Sequence, residues 1–143
     1  MDNRKTRHQT FLEIALLLSG RASCNRLHVG AIIVKDKKHI ISSGCNGPRA
    51  WTCDERGCDT SKPCNHAIHA EDNAIAFAKE QGIDLRGCTL YCTHQPCMSC
   101  AILIVKAGIS RVVYLEPYRL VEGLEYLKQN KVQVEQHEPI KNS

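Results

Sequence analysis

HAIHAEDNAIAFAKEQGIDLRGCTLYCTHQPCMSCAILIVKAGISRVVYLE, residues 66 to 116, decides the fold of this chain. Ile68, Ala74, Ile75 and Ala78 recur at helical spacing and Gly82 supplies a C-terminal stop, so residues 66 to 81 are predicted to form a helix. CTLYCTH, residues 88 to 94, reads as a strand, and Pro96 opens a second helix over CMSCAILIVKAG that ends at Gly108. RVVYLE, residues 111 to 116, is the next strand. Strands that alternate with helices in this way become parallel neighbours in one sheet.

Outward from this stretch, residues 119 to 129 continue as a helix and KVQVEQ, 131 to 136, as an alternating strand. On the other side, VGAIIVK (29 to 35) and HIISSGC (39 to 45) are apolar, β-branched runs around Asp36-Lys37-Lys38 and predict a hairpin. The first 24 residues imitate a signal peptide, with basic residues ahead of Leu16, Leu17 and Leu18. Glu13 interrupts that run, which is too short to span a bilayer, while apolar residues at 11, 12, 14, 15, 16 and 18 suit the buried face of an amphipathic helix. The order is α-β-β-α-β-α-β-α-β. It predicts an α/β protein, a three-layer α/β/α sandwich around one five-stranded mixed sheet, with residues 1 to 143 as a single domain.

The chain is 43% hydrophobic and 24% charged, as soluble globular proteins are. A net charge of +4 suits a phosphorylated small molecule and falls short of the basic surface a polymeric nucleic acid demands; a membrane partner is not expected either. Nine cysteines, an odd number, point to metal binding in a reducing, cytoplasmic setting rather than to a disulfide framework.

Two groups of residues carry the chemistry. Cys97 and Cys100 lie three apart on the first turn of one helix, where exposed N–H groups and the helix dipole favour thiolates. His69 and Glu71 stand at the start of the other. Residues two apart on a helix point about 200° away from each other, so these two can share a site only off the N-terminal end. If the two helices lie side by side with their N-termini level, His69, Cys97 and Cys100 hold a zinc ion by three ligands, and the fourth position stays open as in catalytic sites. Glu71 then lies beside water that the zinc acidifies and can move its proton.

His69-Ala70-Glu71 followed by Pro96-Cys97-Met98-Ser99-Cys100 resembles the zinc deaminase signature. Further residues make the chain similar to the deoxycytidylate (dCMP) deaminases of the cytidine deaminase superfamily. They are Cys24-Asn25-Arg26-Leu27-His28-Val29-Gly30-Ala31, Gly44-Cys45-Asn46-Gly47, the cysteine-bearing loop, His69-Ala70-Glu71-Asp72-Asn73-Ala74 and Tyr91-Cys92-Thr93-His94-Gln95-Pro96-Cys97. The resemblance covers nearly the whole chain. It implies hydrolysis of dCMP to dUMP and ammonia, supplying dUMP for thymidylate synthesis, with Glu71 as the base and then the acid. It also assigns Asn46 to the deoxyribose hydroxyl and Tyr118 to the base; Arg26 and His28 are the nearest candidates for the phosphate, with Arg49 and Arg119 in reserve.

From Gly44 to about Asn65 the chain is rich in Gly, Pro and Cys, and a structureless loop of roughly twenty residues needs a staple. The resemblance implies a second, structural zinc there, held by Cys24, Cys53, Cys58 and Cys64 with His66 as the reserve ligand. It also implies a homo-oligomer, commonly a hexamer, and dCTP and dTTP as effectors. Cys45 stands where the family usually has tyrosine in the motif tied to that regulation, which puts the effectors in question. Deamination of dCTP or a nucleoside is the nearest competing reading; a non-catalytic, zinc-stapled nucleotide-binding module is the competitor from another class.

Overall fold

The hairpin sets the register of the sheet in this computed structural model, which describes residues 4–22, 27–47 and 68–140. Strands β1 (Gly30–Lys35) and β2 (His39–Cys45) pair antiparallel, from Gly30 opposite Cys45 to Lys35 opposite His39. β1 also pairs antiparallel with β3 (Thr89–His94), which runs parallel to β4 (Arg111–Glu116), itself parallel to β5 (Gln133–Gln136). The order β2-β1-β3-β4-β5 is the mixed five-stranded sheet the sequence predicts.

Helix α1 (Arg7–Ser19) covers one face of this sheet; α2 (Ala70–Glu80), α3 (Met98–Ala107) and α4 (Glu122–Gln129) cover the other. The period of two in the strands divides their side chains between these layers. Ile32, Tyr91 and Val113 meet Phe11 and Leu12 of α1, while Ile33, Leu90 and Val112 meet Ala74, Ile104 and Leu127. Ile32, Ile33 and Leu90 are completely buried, each contributing about 1.5–3 kcal/mol of apolar burial. Gly44 brings α2 against β2. A Cβ there would sit 2.5 Å from the Ala70 carbonyl oxygen and 2.8 Å from the Ala74 nitrogen, so only glycine lets the helix settle at this depth.

Three boundaries depart from the sequence expectation. α2 starts at Ala70 rather than His66, because the N–H of Gly47 donates to the Ile68 carbonyl (2.9 Å) and that of Ile68 to the Gly47 carbonyl (3.3 Å). Ile68 continues the apolar spacing, but its backbone belongs to this bridge. α4 starts at Glu122, after Val121 as its cap residue, and β5 starts at Gln133 because Lys131 turns left-handed between the two. On α1 only Phe11, Leu12 and Ala15 are buried, and Leu17 is 78% exposed: a lone helix on a sheet face buries one narrow stripe. No helix among the described residues is long and apolar enough to cross a membrane.

Candidate metal centre and active site

The chain leaves β3 at His94 and passes through Gln95 and Pro96 to Cys97, the residue that caps α3; His69 takes the same place before α2. Both cap residues are extended. Their side chains meet. His69 Nδ1 lies 3.1 Å from Cys100 Sγ and 3.4 Å from Cys97 Sγ, and the three ligand atoms are all within 4.8 Å of one another. Zinc at about 2.0 Å from nitrogen and 2.3 Å from sulfur in a tetrahedron separates N from S by about 3.5 Å, so the donor set and its spacing fit that ion with a small expansion.

The electrostatics agree with a cation site. Hydrogen bonds from the Cys100 thiol and the His69 ring pull the Cys97 thiol down to about 3, against the effect of burial and with help from Ser99 Oγ at 3.1 Å. The same pairing, together with burial, pushes the Cys100 thiol far up. His69 is raised, chiefly by its bond to Cys97. Glu71 is 4% exposed, and loss of solvent raises its carboxyl above the usual range. His69, Cys97 and Cys100 all act electrostatically on that carboxyl, which places it beside the candidate ligands.

Of the residues the sequence singles out, the structure brings together His69, Glu71, Cys97 and Cys100. Asn46 is buried and staples the chain ahead of β1: its Oδ1 accepts from the Val29 N–H at 2.7 Å and its Nδ2 donates to the Leu27 carbonyl. His28, Tyr118 and Arg119 are exposed. Cys24, Arg26, Arg49, Cys53, Cys58, Cys64 and His66 lie outside the described residues. Cys88 and Cys92 are buried thiols, and Cys45, at the end of β2, is half-buried.

Sequence reasoning passed over two supports. Gln95 is buried and bridges to the loop beyond β4, accepting from the Tyr118 N–H at 2.9 Å and donating to the Leu120 carbonyl at 2.8 Å. Asn73 donates to the carbonyls of Cys45 (2.8 Å) and Gly47 (3.1 Å), tying the first turn of α2 to the end of β2. Both partner with backbone remote in sequence, and each stands among other polar residues, so local pattern gives no signal that singles it out.

Gly123 sets the position of Cys97 from behind. A Cβ at Gly123 would lie 2.8 Å from the Pro96 carbonyl oxygen and 3.0 Å from the Cys97 carbonyl carbon. Gly123→Ala is therefore expected to destabilise the fold by about 1–3 kcal/mol, the usual scale of overpacking, and to weaken metal retention by shifting Cys97. Denaturant midpoints and zinc content after dialysis measure both effects.

Zinc-dependent deamination is the class of chemistry for which a fold and centre of this kind are built. The chain belongs to the cytidine and deoxycytidylate deaminase family, whose zinc-binding region matches residues 5–116. It is 40% identical over 135 residues to ComE operon protein 2 of Bacillus subtilis, covering 92% of this chain and 71% of that protein. It is 35% identical over 139 residues to the deoxycytidylate deaminase of Saccharomyces cerevisiae, covering 88% of this chain but only 43% of the yeast protein. The structure of dCMP deaminase from the cyanophage S-TIM5 in complex with dCMP and dUMP matches at a TM-score of 0.81 and 32% identity, covering 90% of this chain and 95% of that one.

Proposed function

We propose that this enzyme is a deoxycytidylate deaminase that hydrolyses dCMP to dUMP and ammonia, with a catalytic zinc held by His69, Cys97 and Cys100. The observation that carries the reading is the buried Glu71 carboxyl beside those three ligand atoms: a purely structural metal gains nothing from an acid there. Zinc supplies Lewis acidity, which acidifies water and stabilises negative charge on oxygen. Glu71 takes a proton from the attacking water and returns it to the ring nitrogen of cytosine, a role its raised pKa suits because the carboxyl must hold that proton between the two transfers.

The dCMP and dUMP bound to the cyanophage relative favour this substrate over dCTP or a nucleoside. Arg26 and His28 would meet the phosphate, with Arg49 and Arg119 as alternatives. For the deoxyribose hydroxyl, Asn46 keeps one hydrogen of its amide and one oxygen lone pair beyond its bonds to Leu27 and Val29 among the described residues. Tyr118 would contact the base, and Gln95 holds its backbone in place. Gln95→Ala is thus expected to raise KM for dCMP about 10-fold with a smaller effect on kcat, since it releases the loop but touches neither ligand nor acid.

Cys24, Cys53, Cys58 and Cys64 would hold a second, structural zinc, with His66 able to replace one of them. Exposed Leu16, Leu17 and Leu27 support a homo-oligomer, a hexamer by analogy with the family, within a single domain over residues 1 to 143. The unpaired count of cysteines supports a cytoplasmic setting, where dUMP would feed thymidylate synthesis. Cys45, in place of the family's tyrosine, argues against regulation by dCTP and dTTP. Ammonia release from dCMP, dCTP, deoxycytidine and cytidine by the purified chain tests the substrate. Preference for dCMP supports it, while zinc-loaded protein that turns over none of them would be the non-catalytic module.

A further inference from the structure

The end of the sheet remote from Cys97 holds a cavity lined by cations. There β3, β4 and β5 begin, and the cavity, of about 810 Å³, opens between their first residues, the start of α1 and the β1–β2 turn. Arg7, His8, Lys37, Arg111 and Lys131 line it against a single acid, Asp36. Gln133 Oε1 accepts from Arg111 Nε at 3.0 Å and from its terminal nitrogen at 2.6 Å, which orients the guanidinium without cancelling its charge. His8 bridges the Tyr91 hydroxyl at 2.8 Å and Glu135 at 3.1 Å. Among the described residues, Arg7, Lys37 and Lys131 have no acidic partner within ion-pair distance.

The backbone gives an independent reason to look here. Three non-glycine residues among those described have positive φ: Asp36 (54°), Lys37 (63°) and Lys131 (63°), and all three line this cavity. Left-handed backbone is unfavourable for an L-residue and is retained where something else requires it. Lys37 is the second central residue of a tight turn closed by the Lys38 N–H on the Lys35 carbonyl, where glycine is usual. Lys131 closes α4, with the Val132 N–H on the Leu127 carbonyl. α2 and α3 end in the same pattern, with Gly82 (φ 70°) and Gly108 (φ 80°) at the corresponding position. Among the described residues, the two lysines at such positions both line the cavity, where Gly87 (φ 78°) is the one lining residue of positive φ that is glycine.

We infer that this cavity binds a small polyphosphate group, with Lys37, Arg111 and Lys131 as its principal cationic contacts, separately from the zinc centre. Its volume is that of a small-molecule site and excludes a folded partner. A planar guanidinium with two ammonium groups around one small volume matches several phosphates in a row better than a single carboxylate. The six residues of β3, at about 3.3 Å each, put the site roughly 20 Å from the zinc ligands at the other end of the strand.

Calorimetric titration of the full chain with inorganic tripolyphosphate and with ATP tests the inference; tighter binding of ATP would mean that the cavity also takes a nucleoside. Two double variants separate charge from folding. Lys37→Gly with Lys131→Gly relieves the left-handed backbone, so the melting temperature should rise by a few degrees while Kd for tripolyphosphate weakens about 10-fold or more. Lys37→Gln with Lys131→Gln keeps that backbone burden and should lose binding to the same extent. No saturable binding to the parent at millimolar tripolyphosphate, or either variant binding as tightly as the parent, overturns the site.

Discussion

Glu71→Gln is expected to keep its zinc and its fold while kcat for dCMP falls by several orders of magnitude. The amide has the size of the carboxyl it replaces and fills the same buried position, at 4% exposure, so packing gives no reason for unfolding. Burial disfavours the ionised acid, as its raised pKa records, and a neutral amide removes that desolvation cost; the melting temperature should therefore stay level or rise. Proton transfer is what disappears. A positioned acid or base contributes about 10²–10⁴-fold to one transfer, and here one carboxyl serves two. Metal content by elemental analysis, a thermal melt and kcat separate the outcomes. Full activity would discard the mechanism, and loss of zinc together with activity would make Glu71 a ligand instead of a proton carrier.

Much of this arrangement was legible because punctuation in the sequence coincides with chemistry. Gly82 marks the C-terminal end of α2 and Pro96 and Gly108 the limits of α3, and Cys97 and Cys100 stand just past Pro96. Local rules place a helix end to within a residue or two, and a helix end is where this centre lies. The start of α2 was misplaced for the complementary reason: the spacing of Ile68 is a local signal, while its bridge to Gly47 is a contact across about twenty residues of sequence. Gln95 and Asn73 were passed over because each acts on backbone brought near by the fold. Lys131 reads as one more solvated charge, and only its φ shows that a glycine position has been given to a cation.

His69→Ala should remove the catalytic zinc and with it all measurable turnover. The imidazole is the sole nitrogen donor in the described cluster, and Cys97 and Cys100 alone leave a site with half the usual ligand count. A metal that binds only the folded state adds RT ln(1 + [Zn]/Kd), about 4 kcal/mol at a thousand-fold excess over Kd, so this variant should also melt below its zinc-loaded parent. The stoichiometry carries the further argument. With a structural zinc on Cys24, Cys53, Cys58 and Cys64, the parent should hold two ions per chain and the variant one, whereas a parent with a single ion that vanishes in the variant removes the structural site. Turnover that survives without the imidazole would undo the catalytic centre itself, since the two sulfurs and Glu71 would then be working without the ion they are arranged around.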